Sequence, residues 1–338
     1  MIFLALETSC DDTSIAIFDD DKLLAMDTAS QIKIHNLTWW VVPEVAAREH
    51  ANAIFGVLDN VLEETKLKLE DIDYIWVTTN PWLLPSLLTW TTVAWVISTI
   101  LKKKIIPINH IQAHIFSNFL DREEVEITYP LACLTVSWWH NEIYLMKDMF
   151  SFDKLGWTWD DASWEAFDKA AKMMWLEYPG WPVIGKLAQE YKEQWGISKE
   201  LFPRVWLIKR EFNFSFSWLK SSVKREVDKR ILEKWELTLE DKKEISFEFE
   251  NAVIEVLAWK LLEAAKQNNL KTVMLAWWVS ANTKLRDEIQ RLADIAWVKF
   301  IYPKKLLYCM DNAAMVGINT YYKIKYNKFK DKIGMVKI

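Results

Sequence analysis

The strongest constraint on the fold is a unit of strand, polar corner and strand that occurs twice in the chain. The apolar run Ile2 to Leu6 leads into the corner Glu7-Thr8-Ser9-Cys10-Asp11-Asp12, and Thr13 to Phe18 then alternates apolar and polar residues. Leu131 to Ser137, the corner Trp138-Trp139-His140-Asn141 and Glu142 to Met146 repeat the pattern. Alternation with period 2 reads as strand, and a corner of polar residues reads as the turn between two strands. Each copy opens a stretch of about a hundred residues in which strands and helices interleave, which predicts an α/β fold from two related units. The solvated cluster Asp121-Arg122-Glu123-Glu124 marks a boundary, so domains are expected at 1–125 and 126–338.

Apolar residues keep helical spacing from Val45 to Thr65, while Tyr74 to Thr79 and Ile105 to Ile108 read as strands. Asn109 offers a cap for a helix through Ile111 to Phe119. In the second half Ala162 to Met174 and Phe247 to Gln267 are helical by period, and Lys271 to Ala276 reads as a strand feeding a helix over Asn282 to Ala293. A last helix begins at Asp311-Asn312. Residues 185–245, charged with scattered aromatics, are expected to form a helical insertion.

Composition enters as a set of exclusions. With 42 Lys+Arg against 47 Asp+Glu and a net charge of −5, a long basic tail is ruled out. Cys10, Cys133 and Cys309 are too far apart for a disulfide framework or a cysteine zinc site, so a reducing cytoplasm is expected. The first residues lack the basic segment of a signal peptide. Trp82 to Leu101 approaches membrane-span length but contains Pro85, two serines and four threonines, which favours a buried helix and no membrane. The anomaly is 21 Trp beside 7 Gly, where a chain of this length should carry roughly two dozen glycines. Many tryptophans are therefore expected where the fold needs glycine.

His110 and His114 lie four apart at a helix start, so both imidazoles project from one face and can share a metal. Surface or core histidines show the same spacing. The run His110-Ile111-Gln112-Ala113-His114 lacks the Glu that serves zinc proteases as general base, which disfavours a metallopeptidase. A third ligand must come from elsewhere, and Asp311 at a helix start is a candidate; two His and one carboxylate suit Fe(II) or Zn(II). The corner Glu7 to Thr13 offers hydroxyls and backbone N–H groups that could hold a phosphate, or could be a solvated hairpin tip. Asp160, Asp161, Glu165 and Asp168 cluster around a helix start, where carboxylates also serve as dipole partners. Asn282 is ambiguous between helix cap and ligand donor.

In order, and over nearly the whole chain, these segments resemble the TsaD family, the tRNA N6-adenosine threonylcarbamoyltransferases. Glu7 to Thr13 (ETSCDDT) is similar to the family's opening hairpin, Val41 to His50 (VVPEVAAREH) to its next block, and His110 to His114 (HIQAH) to its metal pair. Val136 to His140 (VSWWH) resembles S-G-G-H after its first residue, Asp160 to Lys169 (DDASWEAFDK) resembles D-D-A-x-G-E-A-F-D-K, and Tyr178 to Pro182 (YPGWP) resembles Y-P-G-G-P. Phe214 to Lys220 (FSFSWLK), Ala276 to Asn282 (AWWVSAN) and Cys309 to Met315 (CMDNAAM) match F-S-F-S-G-L-K, G-G-V-x-A-N and C-x-D-N-x-A-M.

The resemblance implies a two-domain α/β fold of the actin, Hsp70 and sugar-kinase type, built from duplicated RNase-H-like units with a helical insertion. It implies one Fe(II) or Zn(II) per subunit on His110, His114 and Asp311. Thr135, Val136, Ser137, Trp138, Trp139, Asp168, the Trp181 position and Asn282 would line a threonylcarbamoyl-AMP site, and Asp11 would position or deprotonate the attacking amine. The implied reaction transfers threonylcarbamoyl to N6 of adenine 37 in tRNAs reading ANN codons. Implied partners are tRNA, a TsaB-like inert paralogue, which lacks the histidine pair, and a TsaE-like ATPase. An ATPase or small-molecule kinase of the same superfamily is the alternative, in which the histidine pair has no purpose. A non-catalytic assembly partner is the third reading.

Twelve tryptophans fall at glycine positions of the family pattern: Trp39, Trp40, Trp82, Trp90, Trp138, Trp139, Trp164, Trp175, Trp181, Trp218, Trp277 and Trp278. Overpacking costs about 1–3 kcal/mol per site, so a dozen such insertions would exceed a total stability of roughly 5–15 kcal/mol. Such a pattern arises if UGA codons mean glycine to the cell and are written as tryptophan. Read literally, Trp138, Trp139 and Trp181 should fill the adenylate site.

Overall fold

In the computed structural model, which describes residues 1–35, 41–81, 83–137, 140–177, 179–204 and 212–328, the opening hairpin forms where the alternation predicts it. β1 (Ile2–Glu7) and β2 (Asp12–Asp19) pair antiparallel, and β3 (Lys22–Ser30) continues the meander. After the short α1 (Ile32–His35), α2 (Pro43–Thr65) leads to β4 (Tyr74–Asn80), α3 (Leu84–Leu101), β5 (Lys104–Asn109) and α4 (His110–Phe116). The sheet order is β3-β2-β1-β4-β5, with β1, β4 and β5 parallel. Parallel neighbours need a crossover, and α2 and α3 supply it. Leu4, Leu6, Ile15, Ile17, Ile75 and Val77 of the sheet pack with Ile54, Val57 and Val61 of α2 in one core cluster. α3 is long and apolar enough to cross a membrane by length and composition. It buries Ser86, Leu87, Trp90, Thr91, Ala94 and Ser98 and packs on α2 and β4.

The second unit opens with the second hairpin, β6 (Leu131–Val136) and β7 (Asn141–Asp148), extended by β8 (Ser151–Gly156). Helices α5 (Ser163–Met173), α6 (Gly180–Gln194), α7 (Ser217–Lys234) and α8 (Leu239–Gln267) precede β9 (Thr272–Ala276), α9 (Thr283–Ala296) and β10 (Lys299–Ile301). The sheet order β10-β9-β6-β7-β8 repeats the first sheet's topology, β6 taking the place of β1. The expected duplication is therefore visible strand by strand. α8 starts eight residues before its apolar period, because Thr238 and Asp241 form a capping box: the Thr238 hydroxyl accepts the Asp241 N–H and the Asp241 carboxylate accepts the Thr238 N–H.

Two compact units result, one comprising Met1–Glu126, Ala276–Trp278 and Tyr302–Ile338, the other Ile127–Leu275 and Val279–Ile301. The chain from Tyr302 onward thus groups with the first unit. Its helix α10 (Ala313–Lys325) packs on α4, β1 and β2 through a buried run of Ala313, Ala314, Met315, Val316 and Gly317. Gly317 is required by close approach: a Cβ there would lie 2.2 Å from the Phe18 ring. That packing carries Asp311 to the site described next.

Candidate metal centre

β5 ends at Asn109, whose side-chain oxygen accepts the Gln112 N–H at 3.1 Å and starts α4, as the sequence predicts. His110 and His114 then lie one turn apart on its buried face. Asn312 caps α10 by accepting the Met315 N–H at 3.0 Å, which fixes Asp311 immediately before the helix. Because α10 packs on α4, carboxylate and imidazoles converge. His114 Nε2 is 2.8 Å from Asp311 Oδ1 and 3.0 Å from His110 Nε2, and His110 Nε2 is 3.5 Å from Asp311 Oδ1.

These distances fit a shared ion. Two ligand atoms each about 2.1 Å from a metal, subtending tetrahedral to octahedral angles, stand roughly 3.0–3.4 Å apart. All three residues are buried. His110 Nδ1 faces Ser9 Oγ at 2.9 Å and Glu7 Oε2 at 3.3 Å; a carboxylate can only accept, so the Glu7 contact calls for a proton on Nδ1. In neutral His110 that leaves the Nε2 lone pair pointing at His114 and Asp311. A carboxylate behind a ligand histidine fixes its tautomer in this way.

The charge states of Asp311 and His114 agree with a ligand role, whereas at His110 burial is outweighed by the charges of Glu7 and Asp311 and the pKa is raised, so an ion binding there would displace a proton. Burial works against ionised Asp311, but the imidazoles of His110 and His114 outweigh it and hold its pKa at about 2. Burial, reinforced by His110, pushes His114 down to about 4. An anionic carboxylate and a neutral imidazole are the forms that bind metal. Glu7 is likewise held below the usual carboxylate range, burial being outweighed by His110. It accepts the Ser9 N–H at 2.6 Å and the Thr78 hydroxyl at 2.5 Å.

Sequence reading missed Glu7 as the support of His110. A signal existed, since a carboxylate at the end of an otherwise apolar strand must find partners when buried. It also missed His50, fully buried on α2. Burial drives its pKa to about 4, so the ring is neutral. Its Nε2 donates to the Cys10 carbonyl at 3.0 Å, which leaves Nδ1 to accept from the Thr13 hydroxyl at 2.8 Å. This bridge pins the corner that carries Asp11. Asp11 is buried, and burial followed by the charge of Asp311 raises its pKa.

Two tryptophans crowd the centre. The Trp277 ring stacks on His114 at 4.3 Å between centroids, and the Trp278 indole N–H donates to Asp311 Oδ1 at 3.3 Å.

The remaining expected site residues lie in the second unit. Thr135 and Val136 are buried in β6, and Ser137 closes the hairpin corner by donating its N–H to the His140 carbonyl at 2.8 Å. Trp138 and Trp139 lie outside the described residues, as do Trp39, Trp40, Trp82 and Tyr178. Asp168 on α5 accepts the Gly180 N–H at 2.7 Å, starting α6. Trp181 follows, its ring 5.0 Å from Trp164 and its buried indole N–H without a partner among the described residues. Asn282 caps α9 by accepting the Leu285 N–H at 2.8 Å.

Two basic side chains are withdrawn from solvent. Arg230 is 8% exposed and paired with Glu226, Asp241 and Glu244. Lys323 is mostly buried, and burial lowers its pKa to about 8.

Comparison with known proteins meets this geometry from the other side. Residues 22–318 match the family model described as TsaD: tRNA N6-adenosine threonylcarbamoyltransferase. The protein of that name from Persephonella marina is 40% identical over 326 residues, covering 96% of this chain and 91% of the relative. The Sulfurihydrogenibium relative is 41% identical over 327 residues, with the same coverage. Among solved structures, component A of the Acidaminococcus fermentans (R)-2-hydroxyglutaryl-CoA dehydratase aligns with a TM-score of 0.53 at 12% identity, over 96% of this chain and 99% of that one. That likeness bears on fold alone.

Proposed function

The chain belongs to the TsaD family of tRNA N6-adenosine threonylcarbamoyltransferases, and from that premise we propose that it works with one Fe(II) or Zn(II) held by His110, His114 and Asp311. The observation that carries the proposal is the convergence of the three ligand atoms within 4.8 Å, with Glu7 and Ser9 behind His110. The donor is threonylcarbamoyl-AMP and the acceptor is N6 of adenine 37 in a tRNA. The N6–carbamoyl bond forms, the carbamoyl–phosphate oxygen bond breaks, and AMP leaves. A bound divalent ion supplies charge stabilisation to the carbonyl or phosphate oxygens.

The chain's own groups do the rest. Asp11, on a corner pinned by His50, orients the amine and takes its proton; burial, with the charge of Asp311, raises its pKa and so makes it a stronger proton acceptor than an ordinary carboxylate. Thr135, Val136, Ser137, the 138 and 139 positions, Asp168, the 181 position and Asn282 line the adenylate site. A TsaB-like paralogue and a TsaE-like ATPase are its partners, and the cytoplasm its place of work.

Metal content and tRNA modification test this reading. Native protein should carry about one iron or zinc per chain, lost in His110→Ala, and Asp311→Asn should fail to modify tRNA supplied with threonylcarbamoyl-AMP. Metal-free native protein that modifies tRNA would overturn it. A kinase or ATPase reading leaves the triad without a task.

A further inference from the structure

Tryptophan occupies backbone positions of this fold that are built for glycine. Of the eleven non-glycine residues with left-handed φ among the described residues, four are tryptophans: Trp175 (φ 53°), Trp235 (φ 68°), Trp277 (φ 79°) and Trp297 (φ 56°). Only one described glycine, Gly196, uses that region. A bulky aromatic there is a steric outlier, whereas glycine enters freely.

Three of the four lie just past a helix, Trp235 and Trp297 one residue beyond its end and Trp175 two, where a left-handed residue ends the hydrogen-bond ladder and glycine is the usual occupant. After α5, Trp175 donates to the Lys172 carbonyl at 3.2 Å and Leu176 to Ala171 at 2.9 Å. After α9, Trp297 donates to Asp294 at 3.3 Å and Val298 to Ala293 at 2.9 Å. These are two complete Schellman motifs. After α7, Trp235 donates to Ile231 at 2.7 Å, the single-bond form. Lys66 and Lys102 also end helices in this conformation, so the backbone alone does not single out tryptophan.

The indoles supply the second observation. Trp175, Trp235 and Trp297 are 67%, 93% and 88% exposed, so little buried apolar area offsets the strained backbone. Trp76, Trp90 and Trp181 show the opposite fault: their buried indole N–H groups find no partner. Tryptophan chosen for its side chain is buried with its N–H satisfied. Neither group behaves that way.

We propose that the protein made in its own cell carries glycine at 175, 235, 277 and 297, because its UGA codons are decoded as glycine. Trp235 and Trp297 lie outside the twelve family glycine positions, so backbone geometry extends the set. At 277 the change removes the ring stacked on His114. The metal centre then gains an open side, which a transferase needs and a packed indole denies.

Peptide mass spectrometry of native protein from its source organism tests this without reference to activity. Tryptic peptides 173–186, 235–242, 272–284 and 292–299 each contain one of the four positions. Glycine at all four supports the proposal, together with a glycine-charged tRNA of UCA anticodon in the same cell. Tryptophan at any of the four positions, read from the fragment ions that separate 175 from 181 and 277 from 278, overturns it. As a second measurement, recombinant W175G/W235G/W297G should unfold at a higher temperature than the literal chain. A lower midpoint would refute the claim that these positions are built for glycine.

Discussion

Replacing Glu7 by Gln isolates the group that stands behind the proposed ligand His110. Glu7 is fully buried and ionised, and its Oε2 lies 3.3 Å from His110 Nδ1, farther than Ser9 Oγ at 2.9 Å. Loss of such an outer partner lowers metal affinity about 10- to 100-fold, roughly 1.4–2.7 kcal/mol. The single change should fall near the tenfold end, because Ser9 still faces the ring. Glutamine must also turn its amide NH2 toward a site where the Ser9 N–H, the Thr78 hydroxyl and His110 all meet the carboxylate. Glu7→Gln combined with Ser9→Ala removes both partners and should approach 100-fold. Competition against a chelator of known affinity, with Zn(II) and with Fe(II) under anaerobic conditions, reads the difference. Wild-type affinity in the double variant, with the fold intact by circular dichroism, would refute the reasoning.

Asp12 is pushed up to about 8, by burial first and then by the charge of Asp11. The folded chain therefore keeps a proton that the unfolded chain releases near pH 3.9, so stability falls as pH rises between those values, by at most about 1.4 kcal/mol per unit. Asp12→Asn should flatten that slope in denaturant titrations, and an unchanged slope would count against the burial argument. Gly317→Ala should cost about 1–3 kcal/mol by forcing Phe18 aside, seen as a lower thermal midpoint; a neutral effect means the ring yields freely. Arg230→Ala leaves Asp241 buried with Lys234 as its remaining cation and should cost about 3 kcal/mol. Asp241 is held at about 2, where Lys234, Thr238 and Arg230 outweigh burial, so its stabilising share is present above pH ~4 and lost as pH falls toward 2.

The two hairpins, the crossover helices and the capped α4 were legible because each rests on local pattern: period 2, period 3.6, and an Asn ahead of a helix. His110 and His114 were legible for the same reason. Asp311 could be nominated but not placed, since its approach depends on α10 packing across the first unit. Glu7, Ser9 and His50 escaped because their roles arise from burial in a shared polar cluster, which no sequence spacing encodes. The early start of α8 escaped because Thr238 and Asp241 set it where the apolar period is silent. For Arg230 a sequence count of charge could not tell a solvated cation from one locked among three carboxylates.

The gap of 197 residues between His114 and Asp311 has a consequence for how the protein is made. At ribosomal speeds of about 5–20 residues per second, the nascent first unit spends roughly 10–40 s with both histidines in place and no carboxylate opposite them. Its sheet can form in that interval, but the tight metal site cannot. Capture of an ion by all three proposed ligands has to wait for Asp311, and a chain stopped short of that residue carries only the histidine pair. Occupancy of the proposed site would report that translation had passed Asp311.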